Sequence, residues 1–207
     1  MSNPWLAIPL AKYEAHMALP EIGQAQWLAK ELEFSVRQHS PKSVAVIGCA
    51  GGNGFDRLTG SVVERVVGID INARYVEAVR CRFGGRIPGL ELHVADIQFA
   101  LPEIPPVDLI FAALILEYVD VPTTMRSLRL LCAAGGALVV IVQAADSDTE
   151  AVSRSPYKSI ELLVPAMRLL NQADVREKAI ANGFSPSSSR QVKLQSGKRF
   201  IVLSFCR

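Results

Sequence analysis

Cysteine is scarce in this sequence, and the few cysteines are scattered. The 207 residues include Cys49, Cys81, Cys132 and Cys206, and no two of them form a C-x-x-C pair. This spacing argues against a zinc knuckle and against a disulfide framework. We therefore expect no metal site, and we expect thiols that pack as small apolar groups.

An excess of charge of one sign is also missing. The chain has 22 Lys and Arg against 20 Asp and Glu, a net charge of +2, which argues against nucleic-acid and membrane partners. Its longest apolar runs, at 107–116 and 137–142, are shorter than the roughly 20 residues of a membrane-crossing helix. The N-terminal stretch does not have the pattern of a signal peptide. These absences predict a soluble, cytoplasmic protein.

The sequence does contain a regular alternation of strand and helix patterns. Runs rich in Val, Ile and Leu predict five buried strands, at 44–47, 65–69, 90–94, 107–112 and 137–142. Helical spacing of apolar residues predicts helices at 72–83 and 123–132, and a short helix is expected from Phe55. Such alternation is typical of a parallel sheet that helices cover on both faces.

The two ends of the chain lead to different predictions. Several prolines among the first 20 residues predict an irregular arm, and the pattern over 21–38 predicts a helix. Near the C-terminus, a polar loop at 146–156 precedes a predicted helix at 171–182. Alternating residues on both sides of Ser196-Gly197 predict an antiparallel hairpin. We expect a single α/β domain over 1–207.

A glycine-rich loop directly after the first predicted strand is the main candidate site. It runs from Gly48 to Gly54 with the sequence G-C-A-G-G-N-G, and glycine lets the backbone turn sharply and a ligand approach it closely. Asp70 follows the second strand, and Asp96 follows the third. Ligands of open α/β sheets bind at the carboxyl ends of the strands. Asp70 is therefore placed to accept hydrogen bonds from a ribose, and Asp96 from an adenine amino group.

From about residue 42 to its C-terminus, the chain resembles the class I S-adenosyl-L-methionine-dependent methyltransferases. The matching positions are Gly48, Ala50 and Gly52 for the G-x-G-x-G motif, Asp70 and Asp96 for two acids, and 107–113 for a fourth motif. The predicted hairpin is similar to the reversed strand pair that closes the sheet of this family. The resemblance implies a Rossmann-like three-layer sandwich with a mostly parallel seven-stranded sheet and an antiparallel C-terminal hairpin.

The resemblance also implies S-adenosyl-L-methionine as the cofactor and a division of the chain into three parts. These are an N-terminal arm and helix (1–41), a cofactor-binding half (42–145), and a substrate-side segment with the closing hairpin (146–207). The residues expected to bind the cofactor are Gly48, Cys49, Ala50, Gly52, Asn53, Asp70, Ile71, Asp96, Ile97, Ala112 and Ala113. Two positions depart from the family pattern: Ala50 replaces a glycine, and Val46 stands where members often carry an acid.

The acceptor side is less clearly marked. A sulfonium methyl group is already electrophilic, so catalysis depends mainly on positioning, and only some acceptors need a base. The candidates for acceptor contacts or for a base are Glu117, Tyr118, His16 and Tyr13. The residues expected to cover the substrate are Tyr157, Met167 and Arg168. Trp5 and Trp27 are expected to be packing aromatics.

The sequence leaves four functions open, of which a methyltransferase for small molecules is preferred. The first alternative is an RNA or protein methyltransferase, although 112–115 lacks the Asn/Asp-Pro-Pro-Tyr/Phe sequence of many nucleic-acid methylators. The second is a non-catalytic binding domain, which the changes at Val46 and Ala50 would suit. The third is a dehydrogenase, whose fingerprint would need glycine at 48, 50 and 53. The acceptor atom and the oligomeric state are not determined.

Overall fold

A seven-stranded mixed sheet runs through the computed structural model, which describes residues 3–145 and 150–207. The strands are β1 (Ser43–Ile47), β2 (Arg65–Asp70), β3 (Leu90–Val94), β4 (Val107–Ala113), β5 (Cys132–Gln143), β6 (Ser185–Lys193) and β7 (Arg199–Cys206). Their order is β3-β2-β1-β4-β5-β7-β6. The first five are parallel, whereas β7 is antiparallel to β5 and β6. The predicted sheet with its C-terminal hairpin is confirmed.

Helices cover both faces of this sheet. They are α1 (Leu10–Ala18), α2 (Gln24–His39), α3 (Ala73–Phe83), α4 (Val121–Leu131) and α5 (Gln172–Ala181). Helices α2 and α3 share a core with Val44 and Val46, and α4 and α5 share the opposite core with Ala45 and Ile47. Successive strand residues point to opposite faces. Strand β1 is therefore apolar at four consecutive positions, as a strand buried on both sides requires.

The N-terminal arm is more regular than the sequence predicted. Pro4–Leu6 form a 3-10 helix, and Leu10–Ala18 form α1, so the expectation of an irregular arm is wrong. Pro9 lies just before α1, with φ −67° and ψ 132°. Proline is tolerated next to the first helical turn because its missing N–H would have no partner there. The prolines mark the ends of short helices in this arm.

Strand β6 is also longer than predicted. Alternation predicted a strand over 191–194, whereas β6 begins at Ser185 and pairs with β7 along its length. Its residues are almost all exposed because β6 is the edge of the sheet. Serine has little intrinsic preference for strands, so the pairing with β7 decides this conformation. Residues 95–106, between β3 and β4, contain no helix, so the predicted strand–helix alternation fails at that connection.

The described residues bear on three further expectations, those of a membrane span, a metal site and the loop at 146–156. None of the helices in the described ranges has the length and apolar content that crossing a membrane requires. Within the same ranges, no group of three or more His, Cys, Asp or Glu side chains could hold a metal ion. The predicted loop at 146–156 lies partly outside the described residues, which resume at Glu150. The cytoplasmic location and the single domain over 1–207 stay predictions.

Candidate functional site

Alternate residues of the glycine loop adopt left-handed backbone conformations. The φ angles are 68° at Gly48, 46° at Ala50, 81° at Gly52 and 85° at Gly54. The loop is held to β2 by a hydrogen bond of 2.8 Å from the Gly48 nitrogen to the Ile69 carbonyl oxygen. Because this conformation costs an L-residue about 1–2 kcal/mol, Ala50 is a point of backbone strain in the loop.

Asp70, the last residue of β2, is tied to the glycine loop by its carboxylate. Its Oδ2 accepts a hydrogen bond of 2.8 Å from the Ala50 nitrogen, and its Oδ1 accepts one of 2.8 Å from the Asn72 nitrogen. Burial raises the pKa of the Asp70 carboxyl, and these backbone donors act in the opposite direction. A carboxylate oxygen has more than one acceptor site. Asp70 can therefore still accept hydrogen bonds from a ligand.

A cavity of about 690 Å³, the glycine-loop cavity, lies at the carboxyl ends of β1 to β4. The predicted cofactor residues that line it are Gly48, Ala50, Asp70, Ile71, Asp96, Ile97 and Ala113. Its wall also includes Trp5 and Tyr13 from the arm. Asp96 accepts hydrogen bonds on Oδ1 from the backbone nitrogen and side-chain amide of Gln98, at 3.1 and 3.0 Å. Carboxylates from two strand ends therefore face one space.

The other four predicted cofactor residues lie elsewhere. Cys49, Gly52 and Asn53 line a broader depression on the other side of the loop, and Ala112 is fully buried. Burial raises the pKa of the Cys49 thiol well above its ordinary value, so this thiol stays protonated. Val46, which replaces the family's acid, borders the same depression and belongs to the core under α2.

The N-terminal arm is fastened across the glycine-loop cavity. The hydroxyl group of Tyr75 donates a buried hydrogen bond of 2.9 Å to the carbonyl oxygen of Ile8. Glu14 of α1 forms an ion pair with Arg82 of α3, and Arg82 also donates a hydrogen bond of 2.9 Å to the Gly51 carbonyl oxygen. Local patterns did not predict this contact, because both partners of each bond belong to segments far apart in the chain.

A second cavity, the arm cavity, adjoins the first and has a volume of about 490 Å³. The residues that line both cavities are Trp5, Tyr13, Leu114 and Tyr118. The ring of Trp5 packs edge to face on Tyr13 and Tyr118, with centroids 5.3 and 5.1 Å apart. Leu114 has φ 55°, and strained conformations of this kind concentrate at functional sites. Trp27, by contrast, packs against Phe200, with ring centroids 4.9 Å apart.

Three of the predicted acceptor-side residues, Tyr13, Tyr118 and His16, line the arm cavity. Burial raises the pKa of both tyrosines far above the ordinary value, so both hydroxyls remain protonated at neutral pH. Burial and, to a smaller extent, Lys198 lower the pKa of His16, so its imidazole is neutral. The cavity therefore has an aromatic wall and a neutral histidine.

Only part of the segment expected to cover the substrate lies at the arm cavity. Met167 lines the arm cavity. Tyr157 packs in a small apolar cluster beside Trp5 and Tyr118. Arg168 donates a hydrogen bond of 3.1 Å to the carbonyl oxygen of Val119. The side chain of Arg168 therefore fastens this segment to the residues after β4.

Glu117 lies behind the cavity wall. Its side chain is fully buried in the short 3-10 helix Leu116–Tyr118, and Oε1 accepts a hydrogen bond of 2.8 Å from the Gln143 nitrogen. Its Oε2 has no partner among the described residues, and burial raises the pKa of this carboxyl to about 7. Glu117 lies in the first turn of this short helix, whereas Asp120 is the residue whose side chain caps α4.

Sequence patterns missed three polar residues that line the arm cavity: Gln24, Gln143 and Lys198. All three are buried. Gln143 ends a strand, and Lys198 follows the predicted turn at Ser196-Gly197, where a lysine is ordinarily exposed to solvent. No local signal distinguishes this lysine from an exposed one. Only the pairing of β5 with β7 brings Gln143 and Lys198 together.

Residues 45–140 match the model of a family described as a methyltransferase domain. No curated protein matches the chain in sequence. Among solved structures, the chain is similar to N-methyltransferase NodS from Bradyrhizobium japonicum WM9 in complex with S-adenosyl-L-homocysteine. The two are 19% identical with a TM-score of 0.68, over 91% of this chain and 88% of that chain.

Two further solved structures have the same fold. Magnesium protoporphyrin IX methyltransferase (ChlM) from Synechocystis PCC 6803, with bound S-adenosyl-L-homocysteine, is 16% identical with a TM-score of 0.68, over 90% of this chain and 84% of that chain. The [4+2]-cyclase SpnF is 13% identical with a TM-score of 0.67, over 86% of this chain and 80% of that chain. Likeness at these identities concerns the fold.

Proposed function

We propose that this chain methylates a small-molecule acceptor by in-line displacement, with S-adenosyl-L-methionine as the methyl donor. The match of residues 45–140 to a methyltransferase domain supports this reaction. The observation that supports a small-molecule acceptor is that two neighbouring cavities share one wall. The glycine-loop cavity and the arm cavity share Trp5, Tyr13, Leu114 and Tyr118. A donor in the first cavity and an acceptor in the second would meet at this shared wall.

The residues of the glycine-loop cavity fit the cofactor. Within this proposal, the Asp70 carboxylate accepts hydrogen bonds from the ribose hydroxyls, since each of its oxygens has acceptor capacity beyond its backbone donor. Ile71 and Ile97 offer apolar walls for the adenine, and Asp96 offers an acceptor for its amino group. Cys49, Gly52, Asn53 and Ala112 shape the loop and the strand end without facing this cavity.

Positioning is the main task of the chain in this mechanism. When bound, the cofactor supplies an electrophilic methyl group on a positively charged sulfur. The arm and the aromatic wall hold the acceptor and exclude water, and correct positioning can lower the barrier by roughly 7–11 kcal/mol. His16 lines the arm cavity but not the wall that the two cavities share, so its neutral imidazole would contact the acceptor away from the reacting atom. Glu117 lies behind the wall and acts on the position of Tyr118 and Gln143.

Two alternatives predict different results. An RNA or protein methyltransferase needs a broad, open acceptor site, whereas the arm cavity is small and part of its lining comes from the arm. A non-catalytic cofactor-binding domain is favoured by Val46, because the position of the family's acid is apolar here. That domain would bind the cofactor and leave every acceptor unmethylated.

Calorimetric titration with S-adenosyl-L-homocysteine tests the cofactor proposal. We expect saturable binding with one site per chain, and no binding at about 1 mM ligand would contradict it. Transfer of a radiolabelled methyl group to a panel of small acids, phenols and amines then tests the reaction. A transcript RNA and a protein lysate serve as the competing acceptors, and labelling of these alone would overturn the small-molecule proposal.

A further inference from the structure

The arm cavity has a surplus of buried hydrogen-bond donors on one side. Lys198 is 4% exposed, and its ammonium group donates to the Ala151 carbonyl oxygen at 2.8 Å and to Gln143 Oε1 at 3.3 Å. An ammonium group has three donors, so one remains for a ligand. Among the described residues, no carboxylate lies within ion-pair distance of Lys198. Burial lowers the pKa of Lys198 and the charge of Glu150 acts in the opposite direction, but Glu150 forms its ion pair with Arg154. Buried charges are ordinarily paired.

Two neighbouring side chains add polar atoms without partners. Gln143 is 2% exposed, and its Nε2 has no hydrogen-bond partner in the part of the chain that the structure describes. Its amide orientation follows from Lys198, which needs an oxygen as its acceptor. His16 is 6% exposed, and its Nδ1 likewise has no partner among the described residues. All three side chains line the arm cavity.

These donors call for a ligand with negatively charged acceptor atoms. A carboxylate has two oxygens that can accept from the Lys198 ammonium group and the Gln143 amide together. It would also neutralise the buried charge. Most of the remaining lining consists of the rings of Trp5, Tyr13 and Tyr118 and of apolar side chains, which suit a flat, apolar body. The space of about 490 Å³, which includes its solvent-open part, is in the range of small-molecule sites.

The two ends of the arm cavity differ in their position relative to the glycine-loop cavity. Lys198, Gln143 and His16 line the arm cavity and not the glycine-loop cavity, whereas Trp5 and Tyr118 line both. A carboxylate at Lys198 would therefore lie away from the cofactor. The opposite end of the same molecule would point to the shared wall.

We propose that the arm cavity binds a single-ring carboxylic acid, whose carboxylate is held by Lys198 and Gln143 while another atom of the molecule faces the methyl donor. This inference rests on the proposed function only in its statement that one end of the molecule faces the methyl donor. The carboxylate site itself is inferred from the buried donors of Lys198 and Gln143. Lys198 and Gln143 are positioning residues in this assignment.

A pair of probes that differ in charge tests the site. The probes are 4-hydroxybenzoate and 4-hydroxybenzamide, titrated by calorimetry into protein saturated with S-adenosyl-L-homocysteine. We expect the acid to bind at least about tenfold more tightly than the amide. Lys198→Met should lower the affinity for the acid about tenfold and leave that for the amide unchanged. Lys193→Met, at an exposed position on β6, is the matched control and should behave as wild type.

Gln143→Glu keeps the size of the side chain and places a carboxylate beside Lys198, so it tests the site if Lys198→Met does not fold. We expect it to remove the preference for the acid, because the new carboxylate occupies the ammonium group. Equal affinities for acid and amide in the wild type would overturn the proposal. So would absence of binding of the acid at about 10 mM, or an acid preference that survives Lys198→Met.

The design separates this proposal from the proposed function. If S-adenosyl-L-homocysteine does not bind, the cofactor proposal fails. The same acid and amide titrated into the protein without it still test the carboxylate site. If the cofactor product binds and the probes do not discriminate charge, the carboxylate site fails alone.

Discussion

Asp70 Oδ2 accepts a hydrogen bond of 2.8 Å from the backbone nitrogen of Ala50. The bond links the acid at the end of β2 to the non-glycine residue of the loop that has a left-handed conformation. Asp70 thus has a role in the shape of the loop in addition to its proposed contact with the ribose. Substitutions at the two positions should separate loop geometry from ligand binding.

Asp70→Asn should weaken cofactor binding. The amide keeps one acceptor oxygen but loses the charge, so we expect a loss of about 1.5–3 kcal/mol in the affinity for S-adenosyl-L-homocysteine, measured by calorimetry. Asp108→Asn is a matched control, since Asp108 also accepts from backbone nitrogens, those of Lys42 and Ser43 at 3.0 and 2.9 Å, near the start of β4. The control should bind normally. Equal affinities for both variants would contradict the assignment of Asp70.

Ala50→Gly should not destabilise the protein, unlike most such changes. A left-handed conformation costs alanine about 1–2 kcal/mol, and the additional chain entropy of glycine costs roughly 0.5–1 kcal/mol. We expect the free energy of unfolding in urea to stay equal or to rise by up to about 1 kcal/mol. Ala78→Gly, in the interior of α3, should instead lose about 1 kcal/mol. Equal losses in both variants would contradict the strain at Ala50.

Tyr75→Phe should loosen the arm. Removal of the hydroxyl group leaves the buried Ile8 carbonyl oxygen without its donor, which costs about 1–3 kcal/mol. We expect faster amide hydrogen exchange in α1, unchanged exchange in α5, and weaker binding of S-adenosyl-L-homocysteine, because the arm forms one wall of its cavity. Tyr157→Phe, which keeps the ring and removes a different hydroxyl, is the control. If α1 exchanges at the wild-type rate, this bond does not hold the arm.

Glu117 should make stability depend on pH near neutrality. Its pKa in the folded protein is raised to about 7 by burial, above the value of about 4.3 expected in an unfolded chain. The folded state therefore binds the proton more tightly. The stabilisation is complete below the unfolded pKa and is lost as the pH rises through the folded pKa. Between about pH 5 and pH 8, this amounts to roughly 2–3 kcal/mol.

Urea unfolding of the wild type and of Glu117→Gln across this pH range measures the effect. The glutamine keeps an acceptor for the Gln143 nitrogen and does not titrate, so its stability should fall less with pH than that of the wild type. Glu161→Gln changes an exposed acid of the segment Lys158–Leu163 and should follow the wild-type curve. Parallel curves for the wild type and Glu117→Gln would show that burial does not raise the pKa of the Glu117 carboxyl.

The strands were predictable because their signal is local. A strand covered on both faces must be apolar at successive positions, so the run at 44–47 matches all but the first residue of β1 and the run at 107–112 matches all but the last residue of β4. The edge strand β3 matches the prediction over 90–94 through alternating apolar and polar residues, and none of its residues is buried, so the expectation of a buried strand there is wrong. The start of α3 was predictable for a similar reason, since Asn72 caps it with a side-chain hydrogen bond to the Arg74 nitrogen.

The N-terminal arm and the edge strand β6 were less predictable. The arm contains α1 because all its prolines lie outside Leu10–Ala18, and composition alone does not distinguish that case from an irregular segment. The first six residues of β6 were missed because a serine-rich sequence has no strand pattern of its own. Hydrogen bonds to β7, which are contacts between segments, decide that conformation.

Local sequence patterns were sufficient to predict the five parallel strands, the glycine loop and the position of Asp70 after β2. Each of these depends on the chemistry of a few consecutive residues. The bond from Ala50 to Asp70, the arm over the glycine loop, and the buried pair of Gln143 and Lys198 depend on tertiary contacts. The burial of a side chain and the charges around it depend on which distant segments pack together, and local sequence patterns do not show which segments do.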